Sequence, residues 1–348
     1  MRDLGAQRFA IGRRVIGDGQ PVFIVAEAGV NHLGRRDLAL DLVRAAAAAV
    51  ADAIKFQTCR VSEFLPEASV DYAEYRRTAL SLEEYRAVAQ AARQAGIVFF
   101  STPLDEGSAD LLARVRVPAY KVASCDLTHR PLLSHLAAKR KPVILSTGMA
   151  ELGEVRQAVR ALREAGAPAV AVLHCVFQYP AEPRHVHLRA MDILRRTLGL
   201  PVGLSDHTIG LAVPCAAVAL GACIIEKHFT LDHALPGDDH RFSADPNELR
   251  ELVAAIRQVE QAMGRAKKAP AAVEFPARRT ARRIIVAAKA MPEGAAVRRA
   301  DVAFQRPDLA RHRVERCLSP WAWPRIEGRR LVAGAAPGDA LTRAHVGW

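Results

Sequence analysis

Short apolar, β-rich runs alternate with helical patterns eight times along residues 1–264, and no other feature narrows the fold so far. The runs are VFIVAEAG (22–29), AIKFQTC (53–59), VFFSTP (98–103), AYKVASC (119–125), PVILSTG (142–148), VAVLHCV (170–176), PVGLSDH (201–207) and IIEKHFT (224–230). Between them lie amphipathic or alanine-rich stretches such as RDLALDLVRAAAAAV, SLEEYRAVAQAARQAG and LGEVRQAVRALREAG. Strands joined by single helices run parallel, and parallel sheets are buried on both faces, so their strands read as apolar runs. Eight such units in roughly 250 residues predict a (β/α)8 TIM barrel. A doubly wound open sheet fits less well, because no GxGxxG follows the first strand.

The pattern breaks at GRAKKAPAAVEFPARRT, which reads as a linker over residues 265–281. Residues 282–348 then form a small separate domain of short apolar runs punctuated by PEG and PGD turns, expected to be mainly β. The formal charge of +12 raises the question of nucleic acid. Its arginines are scattered along helices, and the densest cluster, RRTARR at Arg278–Arg283, has no interleaved aromatics. A basic protein drawing anionic small molecules into a pocket is the simpler reading, with no nucleic-acid partner. The opening MRDLGAQRFAIGRR has no apolar signal core, and no run is long enough to span a bilayer, so no membrane partner is expected. Six cysteines without a CxxC pair fit reduced thiols and a cytoplasmic location.

In a (β/α)8 barrel the active site lies at the C-terminal ends of the strands, and here those ends are polar. Lys55 and Lys121 stand inside otherwise apolar strands, where an unpaired ammonium is costly, so each is expected to meet an anion. Thr102, Ser124, Ser146 and Ser205 add hydroxyl donors, and the set predicts a phosphate and carboxylate cradle. His207 and His228 end adjacent strands and could converge on one divalent ion that keeps open positions, beside Glu27 and Gln57. His174 is read as a core histidine and the cysteines as packing residues.

In order, VAEAGVNHLG, DAIKFQT, FFSTPLD, AYKVASCDLT, KPVILSTGM, VLHC…YP, GLSDHTIG and IEKHFTLD…PGDDH resemble the N-acetylneuraminate (sialic acid) synthase family. ARRIIVAAKAMPEGAAV and FQRP resemble that family's C-terminal antifreeze-like (SAF) domain. The resemblance implies condensation of phosphoenolpyruvate with the open-chain aldehyde of an N-acylated amino hexose, usually N-acetylmannosamine. Products would be a nine-carbon 3-deoxy-2-keto acid and phosphate. It implies phosphoenolpyruvate contacts at Lys55, Thr102, Lys121, Ser124, Ser146 and Ser205, and manganese (or Mg2+ or Co2+) at His207 and His228. It further implies Glu27 and Asp126 as catalytic carboxylates, and sugar contacts from Gln57, Tyr179 and Asp239. Arg306 would come from the partner subunit of a homodimer. The chain departs from the family pattern at Cys125–Asp126, where glycine and glutamate are usual, and at Val176–Phe177, where a threonine and an asparagine can touch the sugar. Its loop after the second strand is shorter than usual, and Asp308 replaces the glycine of RPG. The last three departures bear on the acceptor, which leaves open a legionaminic or pseudaminic precursor, a sugar phosphate, or a silent binding homologue.

Overall fold

The computed structural model describes residues 8–348. All eight expected strands are present: β3 (Phe23–Gly29), β4 (Ala53–Thr58), β5 (Val98–Pro103), β6 (Tyr120–Val122), β7 (Val143–Ser146), β8 (Val170–Cys175), β9 (Val202–Asp206) and β10 (Ile224–His228). Each pairs in parallel with the next, and β10 pairs with β3 to close the barrel. Every residue of β3, β7, β9 and β10 is buried, as expected of strands covered on one side by helices and on the other by the barrel interior.

Local signals place the helices. Ser81 and Glu84 form a reciprocal capping box at the start of Leu82–Ala95, and Gly96 ends it in the left-handed conformation. Asp245 caps Pro246–Met263 by accepting the N–H groups of Asn247 and Glu248, with proline at the first turn. Buried residues recur at helical spacing, for example Val155, Ala158, Val159 and Leu162 in Leu152–Glu164.

Two further strands, β1 (Arg8–Ile11) and β2 (Arg14–Gly17), form an antiparallel hairpin outside the expected eight. Its turn uses Gly12 at φ 60°. Ile11 and Ile16 are fully buried and join the barrel core. The hairpin is tied to the N-terminal end of the sheet, where Arg14 pairs with Asp52, the residue before β4. Asp52 also pairs with Arg257 at 2.9 Å and accepts the Ile24 N–H at 2.9 Å.

The chain divides into two compact units between Gly264 and Arg265. In the second, β11 (Ile284–Ala287) pairs antiparallel with β12 (Val302–Gln305), and single bridges join Met291 to Ala335 and Ala296 to Arg330. Its own core includes Ile285, Met291, Val297, Leu318, Ile326, Leu331 and Leu341. The PEG and PGD turns place Gly294 and Gly338 at positive φ, 81° and 86°. Among the described residues no helix is long and apolar enough to cross a membrane. All six cysteines are free thiols.

Candidate active site

Strand alternation determines what faces the barrel interior. On β4, Lys55 and Gln57 line the cavity; on β10, Glu226 and His228 do, while Lys227 between them does not. The cavity, about 290 Å³, is walled by Glu27, Lys55, Gln57, Thr102, Lys121, Ser124, Ser146, Tyr179, Ser205, His207, His228 and Asp239. Those are twelve of the fourteen site residues expected from the sequence. Asp126 and Arg306 are not on its wall. Asp126 sits in the short helical turn Ser124–Asp126, where Cys125 reaches the cavity instead. Burial raises its carboxyl to about 6 against the pull of His129. Arg306 is an exposed residue of the second unit, directly after β12.

The two lysines do not wait unpaired for a ligand. Lys55 Nζ lies 2.7 Å from Glu27 Oε2 and donates to Thr102 Oγ1 at 2.8 Å. Lys121 Nζ donates to Ser146 Oγ at 2.6 Å and to the Val122 carbonyl at 3.1 Å. Between them stands Glu226, which the sequence marked only as a polar strand end. Its Oε1 is 3.8 Å from Lys55, 3.7 Å from Lys121 and accepts from Ser205 Oγ at 3.0 Å. Two ammoniums and two carboxylates thus share the mouth.

Those carboxylates are driven apart. Burial pushes Glu27 up to about 7, opposed by Lys55 and reinforced by the charge of Glu226. Burial acts on Glu226 in the same direction, but Lys121, Lys55 and the Ser205 hydroxyl outweigh it and hold Glu226 below the usual carboxylate range. Burial likewise lowers Lys121, against the opposing pull of Glu226. A neighbouring pair split in this way is the arrangement that lets one carboxyl hold a proton while the other stays charged.

His207 and His228 face each other with ring centroids 5.3 Å apart, and Tyr179 packs against both, at 4.1 and 5.7 Å. Burial lowers both imidazoles below the usual histidine range, so they are neutral near pH 7. His207 Nδ1 lies 2.7 Å from the Val176 carbonyl, which can only accept, so Nδ1 carries the hydrogen and Nε2 keeps its lone pair. His228 Nδ1 is buried without a hydrogen-bond partner, with Asp239 Oδ2 at 3.6 Å. Two neutral, buried imidazoles with an orphaned nitrogen and a carboxylate alongside are donors that fit a divalent ion. A second histidine–carboxylate group, His233 with Asp245 and Glu248, is more exposed. There both carboxylates already accept backbone N–H groups in a helix capping box, so the group serves as a cap.

Three further aromatic side chains, Phe64, Tyr75 and Phe177, also line the wall. Phe64 and Tyr75, ring centroids 5.4 Å apart, come from short helices between β4 and Leu82–Ala95. Phe177 meets Tyr179 edge-on at 5.2 Å and is 48% exposed, so it turns toward the cavity rather than into the barrel wall.

Fold and cavity together define a (β/α)8-barrel protein with two buried lysines and two carboxylates beside a pair of facing histidines at its mouth. The sequence and the fold both have known relatives. A protein of unassigned activity from Methanocaldococcus jannaschii is 43% identical over 86% of this chain and 89% of its own. The N,N'-diacetyllegionaminic acid synthase of Legionella pneumophila is 37% identical over 99% of each chain. Among solved structures, the N-acetylneuraminic acid (sialic acid) synthetase of Leptospira borgpetersenii matches with TM-score 0.74 at 36% identity, over 78% of this chain and 95% of that one. The family model described as NeuB matches residues 42–268. The chain belongs to the NeuB family of nonulosonic acid synthases.

Proposed function

We propose that the chain condenses phosphoenolpyruvate with the open-chain aldehyde of a 6-deoxy, bis-N-acylated hexose, giving a nine-carbon 3-deoxy-2-keto acid of the legionaminic type and inorganic phosphate. The observation that carries the donor half is the pair Lys55 and Lys121, buried across the mouth from each other and ringed by Thr102, Ser124, Ser146 and Ser205. Such a set of ammoniums and hydroxyls suits a ligand bearing both phosphate and carboxylate. Phe177 supports the acceptor half: an apolar ring on the wall leaves a sugar hydroxyl unpaired but costs a deoxy carbon nothing. The full-length similarity to the Legionella synthase points the same way.

In this reading the cradle holds the enol phosphate at attack distance, and C3 of phosphoenolpyruvate bonds to the aldehyde carbon. Water adds at C2, and phosphate departs with C–O cleavage. Glu27, the carboxyl raised to about 7, positions or deprotonates that water. Gln57, Tyr179 and Asp239 orient the sugar. His207 and His228 would hold manganese or a similar ion, which when bound supplies Lewis-acid polarisation of the aldehyde oxygen. Arg306 belongs to the same proposal as an N-acyl contact delivered by a second copy in a homodimer whose second unit is of the antifreeze-like (SAF) class; a monomer at assay concentration by light scattering would remove that contact.

The test is phosphate release from phosphoenolpyruvate and Mn2+ with N-acetylmannosamine or a 2,4-diacetamido-2,4,6-trideoxyhexose as acceptor. A higher kcat/KM for the diacetamido sugar is expected, narrowing by about tenfold in Phe177→Asn. No phosphate release with either sugar overturns the condensation. A preference for N-acetylmannosamine that persists in Phe177→Asn overturns the acceptor assignment alone.

A further inference from the structure

β9 and β10 each place a charged residue between two that face the cavity. Asp206 lies between Ser205 and His207, and Lys227 lies between Glu226 and His228. Asp206 and Lys227 are direct register partners, both pointing away from the interior. Lys227 Nζ donates to Asp206 Oδ2 at 2.7 Å, and the two side chains are 4% and 1% exposed. The remaining bonds all go to the turn that follows His207. Lys227 also donates to the carbonyls of Thr208 and, at 3.3 Å, Gly210. Asp206 Oδ1 accepts the Thr208 N–H at 3.1 Å and the Thr208 hydroxyl at 2.8 Å.

As a stabiliser such a pair is a poor choice. Desolvating two charges offsets most of their attraction, and well-packed apolar residues of similar size commonly serve the fold as well or better. What an apolar pair cannot do is grip the turn by its backbone. The pair takes hold of residues 208 and 210 immediately beyond one imidazole, and Lys227 itself immediately precedes the other. The His207 ring is held at Nδ1 by the Val176 carbonyl and packed by Tyr179, and its backbone carbonyl accepts the Ala181 N–H at 2.9 Å. The backbone that carries the two rings is also held from behind the sheet.

We infer that Asp206 and Lys227 are positioning residues for His207 and His228, fixing the stagger and orientation of the two imidazoles that the proposed function uses as metal ligands. Outer partners of this kind tune a metal site without touching the ion, and their loss typically weakens affinity about 10- to 100-fold. The consequence runs against the usual expectation for a buried ion pair: removing it cleanly spares the fold and damages the site.

The decisive variant is Asp206→Leu/Lys227→Met, which replaces both charges with apolar side chains of similar size. Three readouts are compared with wild type: thermal unfolding, Mn2+ affinity by calorimetry, and imidazole 15N–1H signals of His207 and His228 in metal-free protein. Wild-type-like unfolding is expected, with Mn2+ affinity lower by about 10- to 100-fold and both ring signals shifted or broadened. In turnover kcat should fall by more than KM for phosphoenolpyruvate rises, since of the cradle residues only Ser205 lies on these two strands. A purely structural role predicts the opposite, and normal Mn2+ affinity with unmoved ring signals in a folded double variant overturns the inference. If wild type binds no Mn2+, the metal reading fails, and the ring signals of metal-free protein still decide the positioning. If the double variant does not fold, Thr208→Val decides: it removes one hydroxyl from Asp206 and keeps both charges. Shifted ring signals with Mn2+ affinity a few-fold weaker support the inference, and an unchanged site overturns it.

Discussion

On the inner face of β9 and β10, Glu226 stands 3.7 and 3.8 Å from two lysines, and its Oε2 has no hydrogen-bond partner. On the outer face of the same strands, Asp206 accepts three hydrogen bonds and Lys227 donates three. Both groups are buried, and both pair acid with base. The outer group is saturated by its own two charges and by the turn at residues 208–210, as buried charge must be when nothing else will arrive. The inner group is left short: Glu226 accepts from Ser205, but its distances to both lysines are too long for direct hydrogen bonds, and it borders a cavity that a ligand can enter. Saturation, more than burial, separates charge that holds the fold from charge that is available for chemistry.

The largest effect that would break this contrast is on stability. Asp206→Ala strands the Lys227 ammonium in a dry layer and should cost about 3–5 kcal/mol of unfolding free energy in urea titration. A loss below about 1 kcal/mol would mean that water reaches the outer pair, and the contrast would dissolve.

His32 sharpens the comparison outside the barrel interior. Its ring packs on Phe56 at 4.9 Å, Nδ1 accepts the Gly34 N–H at 3.1 Å, and buried Nε2 has no partner. Burial lowers its pKa to about 4 from an ordinary 6.5. Between those values the unfolded chain binds the proton that the folded chain refuses, so stability is retained above about 6.5 and lost as pH falls toward 4. His32→Asn should flatten that acid limb by up to about 3 kcal/mol, read from urea midpoints between those pH values. An acid limb of unchanged steepness would show that His32 is not the group protonated.

The smallest change in free energy belongs to the inner face and appears as binding. Lys55→Ala and Lys121→Ala should each weaken phosphoenolpyruvate by about 1.5–3 kcal/mol, with acceptor affinity little changed. Calorimetry showing normal phosphoenolpyruvate binding in both variants would leave the inner charges without a ligand.

Much of this was legible in the sequence, for identifiable reasons. The eight barrel strands are short apolar runs, and their polar tips interrupt those runs where the site lies. The hairpin β1–β2 escaped because RFAIGRRVIG carries arginines on both sides of its turn and only two apolar side chains, Ile11 and Ile16, that become fully buried. Glu226 was visible as a residue of the EKH tip, but its partners Lys55 and Lys121 lie on β4 and β6, and only closure of the barrel brings them together. Each lysine was expected to meet an anion, and the closed barrel supplies one from within, Glu27 beside Lys55 and Glu226 near both. Phe64 and Tyr75 sit in short helices with no sustained period, and nothing in their spacing points to the cavity. Asp126 was assigned by its place in a motif, and the turn Ser124–Asp126 instead brings Cys125 to the wall.

At the end of β3 the register with β4 slips between Glu27 and Gly29, and Gly29 adopts φ 53°. A Cβ there would lie 3.6–3.7 Å from Glu27 Oε1, Gln57 Nε2 and Asp239 Oδ2 and would hold a side chain in a strained backbone conformation. For anyone redesigning the acceptor range, that corner is closed to variation. A library aimed at new sugars has its freedom at Phe177, Phe64 and Tyr75, wall residues that lie outside the strand that carries Glu27.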